Sequence, residues 1–365
     1  MAITMPKIEV TFRQQATTLI ARSARGIAIL IIRDDTDKGF THKQYTGLAA
    51  LQADKAKYTT ENYDAISDML SFAPYQSHVF RLDTAGTLGD TLSEISRTVK
   101  TGWLTIAGQS AEDGAALASW VKAQAAKAKS YKCIVHNITP LPDDMHVVHF
   151  VNEKVTFTDE RGEQEGVAYL PSLLAILAVC NVERGCTNYL CSNLASVQEV
   201  EDNDAAVGAG KFILFHDEEG KVRIGQGINS LTSLDGNTKT EDMQFIETVE
   251  AMDLMRDDIT STFRSTYLGN YRNTRDNQML FIAALNSSYF RQLAQELILD
   301  PDYANAASID VEAQRAAWVA SGKAEAADWD DDKVKATPFK RTVYLAGNVK
   351  ILGSMTNLFF PINLF

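Results

Sequence analysis

Apolar and polar positions alternate with two different periods along this chain, and the change of period marks its elements. Near the start, Ile8, Val10 and Phe12 alternate with Glu9, Thr11 and Arg13, the period-two pattern of a strand with one apolar face. A polar stretch, residues 13–18, separates it from residues 24–32 (ARGIAILII). That run is continuously apolar and rich in β-branched residues, and it predicts a buried central strand. Further strands are predicted at 78–82, 102–107 and 132–136, while Leu117, Trp120, Val121, Ala125 and Ala128 recur at helical spacing between 112 and 129. Strand, helix and strand with short connections predict an α/β layer with parallel pairing.

Residues 147–157 read as a further extended stretch, Arg161 and Gly162 as a turn, and residues 170–179 as a buried helix. Residues 211–216 and 221–225 predict a hairpin, with Gly220 supplying the turn. The character changes after about residue 235. Residues 245–249 read as extended, and Met252, Met255, Ile259, Phe263 and Tyr267 then mark one face of an amphipathic helix ended by Gly269 and Asn270. Asp257 and Asp258 fall on its polar side and read as solvated. A second helix is predicted over 276–299, stopped by Asp300 and Pro301, and a third over 313–319. Strand signals return at 341–345 and 348–352, with Gly347 and Asn348 as the turn, and the acidic run 328–332 reads as a solvated loop.

The last residues, 358–365 (LFFPINLF), are strongly apolar, whereas termini are usually frayed and polar. Left in solvent, such a segment is a sticky, strand-prone edge. Leu358, Phe360, Ile362 and Leu364 alternate with Phe359, Pro361, Asn363 and Phe365, so it can add as a strand to a sheet. Burying one large apolar side chain is worth roughly 1.5–3 kcal/mol, and several of them offset an ordering cost of about 1–2 kcal/mol per residue. Two docks fit: the chain's own core, or a neighbouring molecule. The neighbour is favoured because the opening strand at Ile8, Val10 and Phe12 carries the same signal. Each terminal strand is also set off by a polar or small-residue stretch, 13–18 and 353–357, as in an arm that augments another sheet.

The charge balance narrows the functions. With 35 Lys and Arg against 47 Asp and Glu, the formal net charge is -12, which argues against a general nucleic-acid binder. No stretch is long and apolar enough to cross a bilayer; the best, 169–182, contains Pro171 and Asn181 and falls short of about 20 residues. The opening residues lack the features of a signal peptide, so the product is expected to stay first in the cytoplasm where it is made. Cys133, Cys180, Cys186 and Cys191 form no C-x-x-C pair and are expected to be reduced and buried. Gly225-Gln226-Gly227 lacks the third glycine, the following helix and the Lys-Ser/Thr of a phosphate loop, and reads as a turn. His146 and His149, near Asp143 and Asp144, are three apart in an extended segment and so face opposite sides; a surface loop and strand is expected there instead of a metal site. The six histidines form no catalytic motif. An enzyme or small-ligand-binding α/β protein with a self-docked C-terminal strand survives as an alternative through the α/β half alone.

Residues 205–217 (AAVGAGKFILFHD) and 220–232 (GKVRIGQGINSLT) closely resemble contractile-tail sheath proteins of phages and prophages from Gram-positive bacteria. The resemblance continues through 245–259 (FIETVEAMDLMRDDI), 267–273 (YLGNYRN) and 343–350 (VYLAGNVK). The opening strand at 8–12, followed by 23–28 (SARGIA) and 34–36 (DDT), is similar to the start of that family. The similarity covers most of the chain and is strongest from about residue 205. It implies a mixed α+β fold in four parts: an N-terminal arm (1–20), an outer α/β region (21–234), an inner α+β sheath domain (235–352) and a C-terminal arm (353–365). It further implies hexameric rings stacked as a helical sheath around a tail tube protein, joined by arms that form strands between subunits, with baseplate and tail terminator proteins as further partners. The intersubunit contacts would fall on Ile8, Val10, Phe12, Leu358, Phe360, Ile362 and Leu364. No catalytic residue, cofactor, metal, nucleic acid or membrane insertion is implied. Assembly would take place in the bacterial host cytoplasm, and the product would be a virion tail or a released phage-tail-like particle.

Overall fold

The computed structural model describes Ile20, residues 22–182 and residues 184–363. The chain divides into two compact units, one comprising 22–258 with 351–363 and the other 259–350. The mixture of helices with parallel and antiparallel sheets makes the fold α+β, as expected.

The first unit is built on a six-stranded sheet of β1 (Ile27–Arg33), β2 (His42–Tyr45), β3 (Gln76–Leu82), β4 (Gly102–Ile106), β5 (Tyr131–His136) and β6 (Val147–Phe150), in the order β2-β3-β1-β4-β5-β6. All pairs are parallel except the antiparallel edge strand β2 on β3. The predicted central strand is indeed central, and its alternation feeds both faces. Ala28, Leu30 and Ile32 join one core, and Ile27, Ile29 and Ile31 join the other. Between the strands run α1 (Leu48–Ala53), α2 (Thr60–Ser71), α3 (Leu88–Thr98) and α4 (Ala111–Ala125). Thr59 and Ser110 cap α2 and α4 by accepting from the backbone N–H groups of Asn62 and Asp113, satisfying donors a helix start leaves free. α5 (Leu170–Val179) is apolar all round and buried throughout except its last residue, which fits a helix lying inside a core.

A three-stranded antiparallel sheet, β7 (Lys154–Phe157), β8 (Glu163–Glu165) and β9 (Leu194–Val197), extends this unit, followed by α6 (Asn203–Gly208). The predicted hairpin forms as β10 (Leu214–His216) and β11 (Val222–Ile224), with Gly220 at φ +74° in its turn. Buried Asn152 ties these pieces together, donating to the carbonyls of Gln198 and Leu214 and accepting from the Leu214 N–H. α7 (Ile246–Thr262) then carries the chain from the first unit into the second. The expected extended stretch at 245–249 is therefore corrected: Ile246 and Val249 are one helical turn apart and both buried, so burial on a helix face overrides their strand propensity.

In the second unit, a π-helical turn (Phe263–Tyr267) precedes α8 (Arg275–Ala284), and a second one (Leu285–Tyr289) joins α8 to α9 (Phe290–Gln295). The single helix expected over 276–299 is thus broken by a wider turn. β12 (Ala306–Ile309) pairs antiparallel with the later β13 (Leu345–Asn348), and between them lie α10 (Val311–Ala320) and α11 (Asp331–Ala336). Two expectations fail here. Gly347 and Asn348 lie inside β13, opposite Ala307 and Ala306, and make no turn. The acidic run is no loop: Asp330 caps α11 by accepting from the Lys333 N–H, and Trp329 packs with Ala326 and Val334.

A methyl group has no room at Gly166. A Cβ there would lie 1.9 Å from the carbonyl oxygen of Asn152. Gly166→Ala should therefore displace Asn152 and its three hydrogen bonds, costing about 1–3 kcal/mol; a melting temperature equal to that of the parent would contradict this.

Candidate assembly surfaces

α7 carries carboxylates at helical spacing, and Glu250, Asp253 and Asp258 among them are buried. Glu250 accepts from the Trp103 indole N–H at 2.8 Å and lies 3.3 Å from the Lys132 ammonium. Asp253 takes Lys132 at 2.8 Å, Arg256 at 2.5 Å and the His146 Nε2 at 3.3 Å. Asp257 pairs with Arg25 at 3.1 Å and accepts from the Ser130 hydroxyl, and Asp258 accepts from the Ser23 N–H at 2.6 Å. The reading of Asp257 and Asp258 as solvated is corrected: Asp258 is fully buried and Asp257 partly so. A single sequence shows the carboxylates of a polar helix face but not the cations, which come from residues 22–25, β5 and the segment before β6. Burial alone would raise the Asp253 carboxyl, but Lys132 and His146 hold it well below the usual carboxylate range.

His146 and His149 are also corrected, since both are buried and neither lies at the surface. Burial would lower the His146 ring, but Asp144 (3.6 Å) and Asp253 raise it above its ordinary value. His149 has no such partner. Burial, with the nearby His136 and Lys211, pushes it down to about 4.

The parallel strands follow an order, 3-1-4-5-6, whose crevice for ligands falls at the carboxyl ends of β1 and β4. This chain fills that place with its own side chains. Arg33 grips Asp113 through two nitrogens at 2.8 and 3.2 Å and donates to the carbonyls of Thr84 and Gly86, and buried Gln109 lies against Gly114. A cavity of about 900 Å³ lies elsewhere in the first unit, lined in part by His149, Glu153, Glu199, Asp202 and Lys211. Among the described residues no three or more His, Cys, Asp or Glu side chains are grouped to hold a metal ion. The four cysteines are free and buried. Gly225 and Gly227 bond to the Ile213 carbonyl and the Thr187 hydroxyl, and no helix follows them directly.

The apolar segment 355–363 is highly exposed. Residues 352–363 form neither helix nor strand, and Leu358, Phe359, Phe360 and Ile362 are 86%, 92%, 74% and 69% exposed. Ser354 is held by Glu247 through its N–H at 2.8 Å and its hydroxyl at 2.5 Å; beyond it the segment leaves the surface. Ile8, Val10, Phe12 and Leu364 lie outside the described residues.

The two-stranded sheet of the second unit has unlike edges. The Asn286 side chain caps the outer edge of β12, donating to the Ala307 carbonyl at 2.9 Å and accepting from its N–H at 2.7 Å. Antiparallel pairing alternates, so Gly347, opposite Ala307, turns its own N–H and C=O to the outer side of β13. Among the described residues, no strand pairs with that side of β13. Sequence reasoning missed this edge because it placed a turn at Gly347.

The described residues thus combine a mixed fold whose usual ligand crevice is filled, a strand edge with no strand paired to it and an exposed apolar segment. Comparison with known proteins makes this specific. Residues 238–365 match the family of the phage tail sheath C-terminal domain. The tail sheath protein of Clostridium phage phiCD119 is 26% identical over 357 residues, covering 96% of this chain and 97% of the phage protein. Among solved structures, the helical sheath of the anti-feeding prophage in its contracted state superposes with a TM-score of 0.68 at 11% identity, covering all of this chain and 99% of the other. The sheath tail protein of Desulfitobacterium hafniense gives 0.66 at 13% identity, covering 83% and 94%. The resemblance read from the sequence is borne out as a similarity: residues 238–365 match the sheath C-terminal domain family, and the chain along nearly its whole length is similar to a phage tail sheath protein.

Two tests address the buried charges. Lys132→Met should cost about 3–5 kcal/mol by stranding Glu250 and Asp253, and adding Asp253→Asn should recover part of it; a double variant no more stable than Lys132→Met would refute the pairing. His149 titrates at about 4 when folded and near 6.5 when unfolded. The unfolded chain therefore takes up the proton first, and stability falls as the pH drops from about 6.5 to 4. Chemical denaturation of His149→Gln across that window should show a loss smaller than the parent's by about 1–3 kcal/mol; identical slopes would contradict the assignment.

Proposed function

We propose that this chain polymerises as the sheath of a contractile tail, with the C-terminal segment of each subunit adding as a strand to the open side of β13 in the next. The observation that carries the reading is the exposed apolar segment 355–363 on a chain in which, among the described residues, the outer side of β13 has no strand paired to it. Pairing there would bury Leu358, Phe360 and Ile362 and supply acceptors and donors to the edge, the mode in which an extended peptide augments a sheet. The N-terminal strand at Ile8, Val10 and Phe12 would serve as the second arm.

In this reading, stacked hexameric rings surround a tail tube protein, with baseplate and terminator proteins at the two ends. Residues 235–352 line the inside and residues 21–234 the outside. The extended sheath is the metastable one of two packings, and release from the baseplate shortens it and drives the tube through a target envelope. The subunit works without catalysis, cofactor or metal. It assembles in the host cytoplasm and ends in a virion tail or a released tail-like particle.

Removing residues 358–365 should leave a subunit with unchanged melting behaviour that forms no tubes by negative-stain microscopy. Long, regular tubes from the truncated chain would overturn the reading.

A further inference from the structure

The second unit contains an aromatic pocket that none of the described residues fills. Phe263 and Tyr267, four residues apart across the first π-helical turn, stack at 6.1 Å between ring centres, and Phe281 of α8 closes against them at 5.4 and 4.8 Å. The space they enclose with the neighbouring chain is about 110 Å³, close to that of an apolar cavity that accepts benzene. Gln278, almost fully buried, reaches into it. Its Nε2 donates to Asn273 Oδ1 at 2.7 Å, while its Oε1 has no hydrogen-bond partner among the described residues. A buried acceptor left unsatisfied costs roughly 1–3 kcal/mol. The rim carries Arg272 and Arg341, both exposed and neither in an ion pair among the described residues, and no carboxylate lines the pocket.

Those features together describe the occupant. It brings a ring to the pocket, a main-chain N–H to Gln278 Oε1, an aromatic face or carbonyls to the two guanidinium groups, and no need of a neutralising charge. Residues 351–365 contain no Asp, Glu, Lys or Arg, and their large side chains stand in solvent. The position agrees as well: Arg341 and Val343 line the pocket and lead directly into β13 at Leu345. A strand laid along the outer side of β13 therefore passes the pocket mouth within about two residues, or about 7 Å.

We propose that this pocket receives Phe360 from the C-terminal segment of a second copy, an inference that rests on the arm exchange above and gives it a side-chain anchor. Phe360 is chosen over Phe359 because it shares the period-two face of Leu358 and Ile362, whereas Phe359 shares its face with Pro361 and Asn363. Main-chain pairing sets the register loosely on a short edge, and an aromatic residue seated in a pocket fixes it.

The test places the photoreactive analogue p-benzoylphenylalanine at position 360 of the full chain, assembles it with isotopically labelled copies, and maps the cross-links by mass spectrometry. Cross-links between copies to 263–281 or 341–343 are expected. Cross-links between copies that fall only elsewhere would overturn the pocket while leaving arm exchange standing, and cross-links only within one copy would overturn both. As an independent measure, Phe360→Ala should raise the protein concentration needed for assembly roughly tenfold and Phe359→Ala should do so less. Equal effects, or none from Phe360→Ala, would overturn the assignment.

Discussion

The buried charge stripe at the start of α7 is the contact on which the rest of the first unit depends. Three carboxylates, Glu250, Asp253 and Asp258, have been taken out of water at considerable cost, with Asp257 partly so, and they are stabilising only because each one has a cation or donor at hand. That requirement makes the contact specific. Lys132 on β5, Trp103 on β4, His146 before β6 and Arg25 before β1 come from four places in the chain, and only one placement of α7 satisfies them together. An apolar face would have held the helix with similar strength and less definition. The same helix carries the chain on from the first unit into the second.

How much of this was legible in the sequence depended on whether one segment carried the signal by itself. The central strand at Ile27–Arg33, the helix at Leu170–Val179 and the hairpin around Gly220 were readable because their patterns are local. The failures share a different cause. Asp257 and Asp258 looked solvated because Arg25 and Ser23 lie more than 230 residues away. Residues 245–249 looked extended because Ile246 and Val249 are β-branched, and helical burial decided otherwise. Gly347 looked like a turn, yet its partner Ala307 precedes it by 40 residues, across two helices that the pattern revealed only in part. The apolar tail was legible as a segment in need of a partner, and that property is visible without any long-range contact.

The two ends of the functional question therefore answer each other. At the carboxyl ends of β1 and β4, where this kind of sheet usually receives a ligand, Arg33 and Gln109 occupy the space. At the edge of β13, where a folded monomer would normally cover its main chain, nothing among the described residues does. Asn286 shows that the fold can blunt an edge: it does so on β12, one strand away. An open edge thus stands beside a capped one, and residues 351–363 form an uncharged, exposed apolar segment.

The most direct measurement is an electron cryomicroscopy reconstruction of the polymer formed by the full-length chain, at a resolution that traces main chain. The account predicts that residues 355–363 of one subunit run as a strand along the outer side of β13 of another, with Gly347 in the ladder. Density that instead returns this segment to its own subunit, or leaves the side of β13 unpaired in a well-ordered tube, would contradict it.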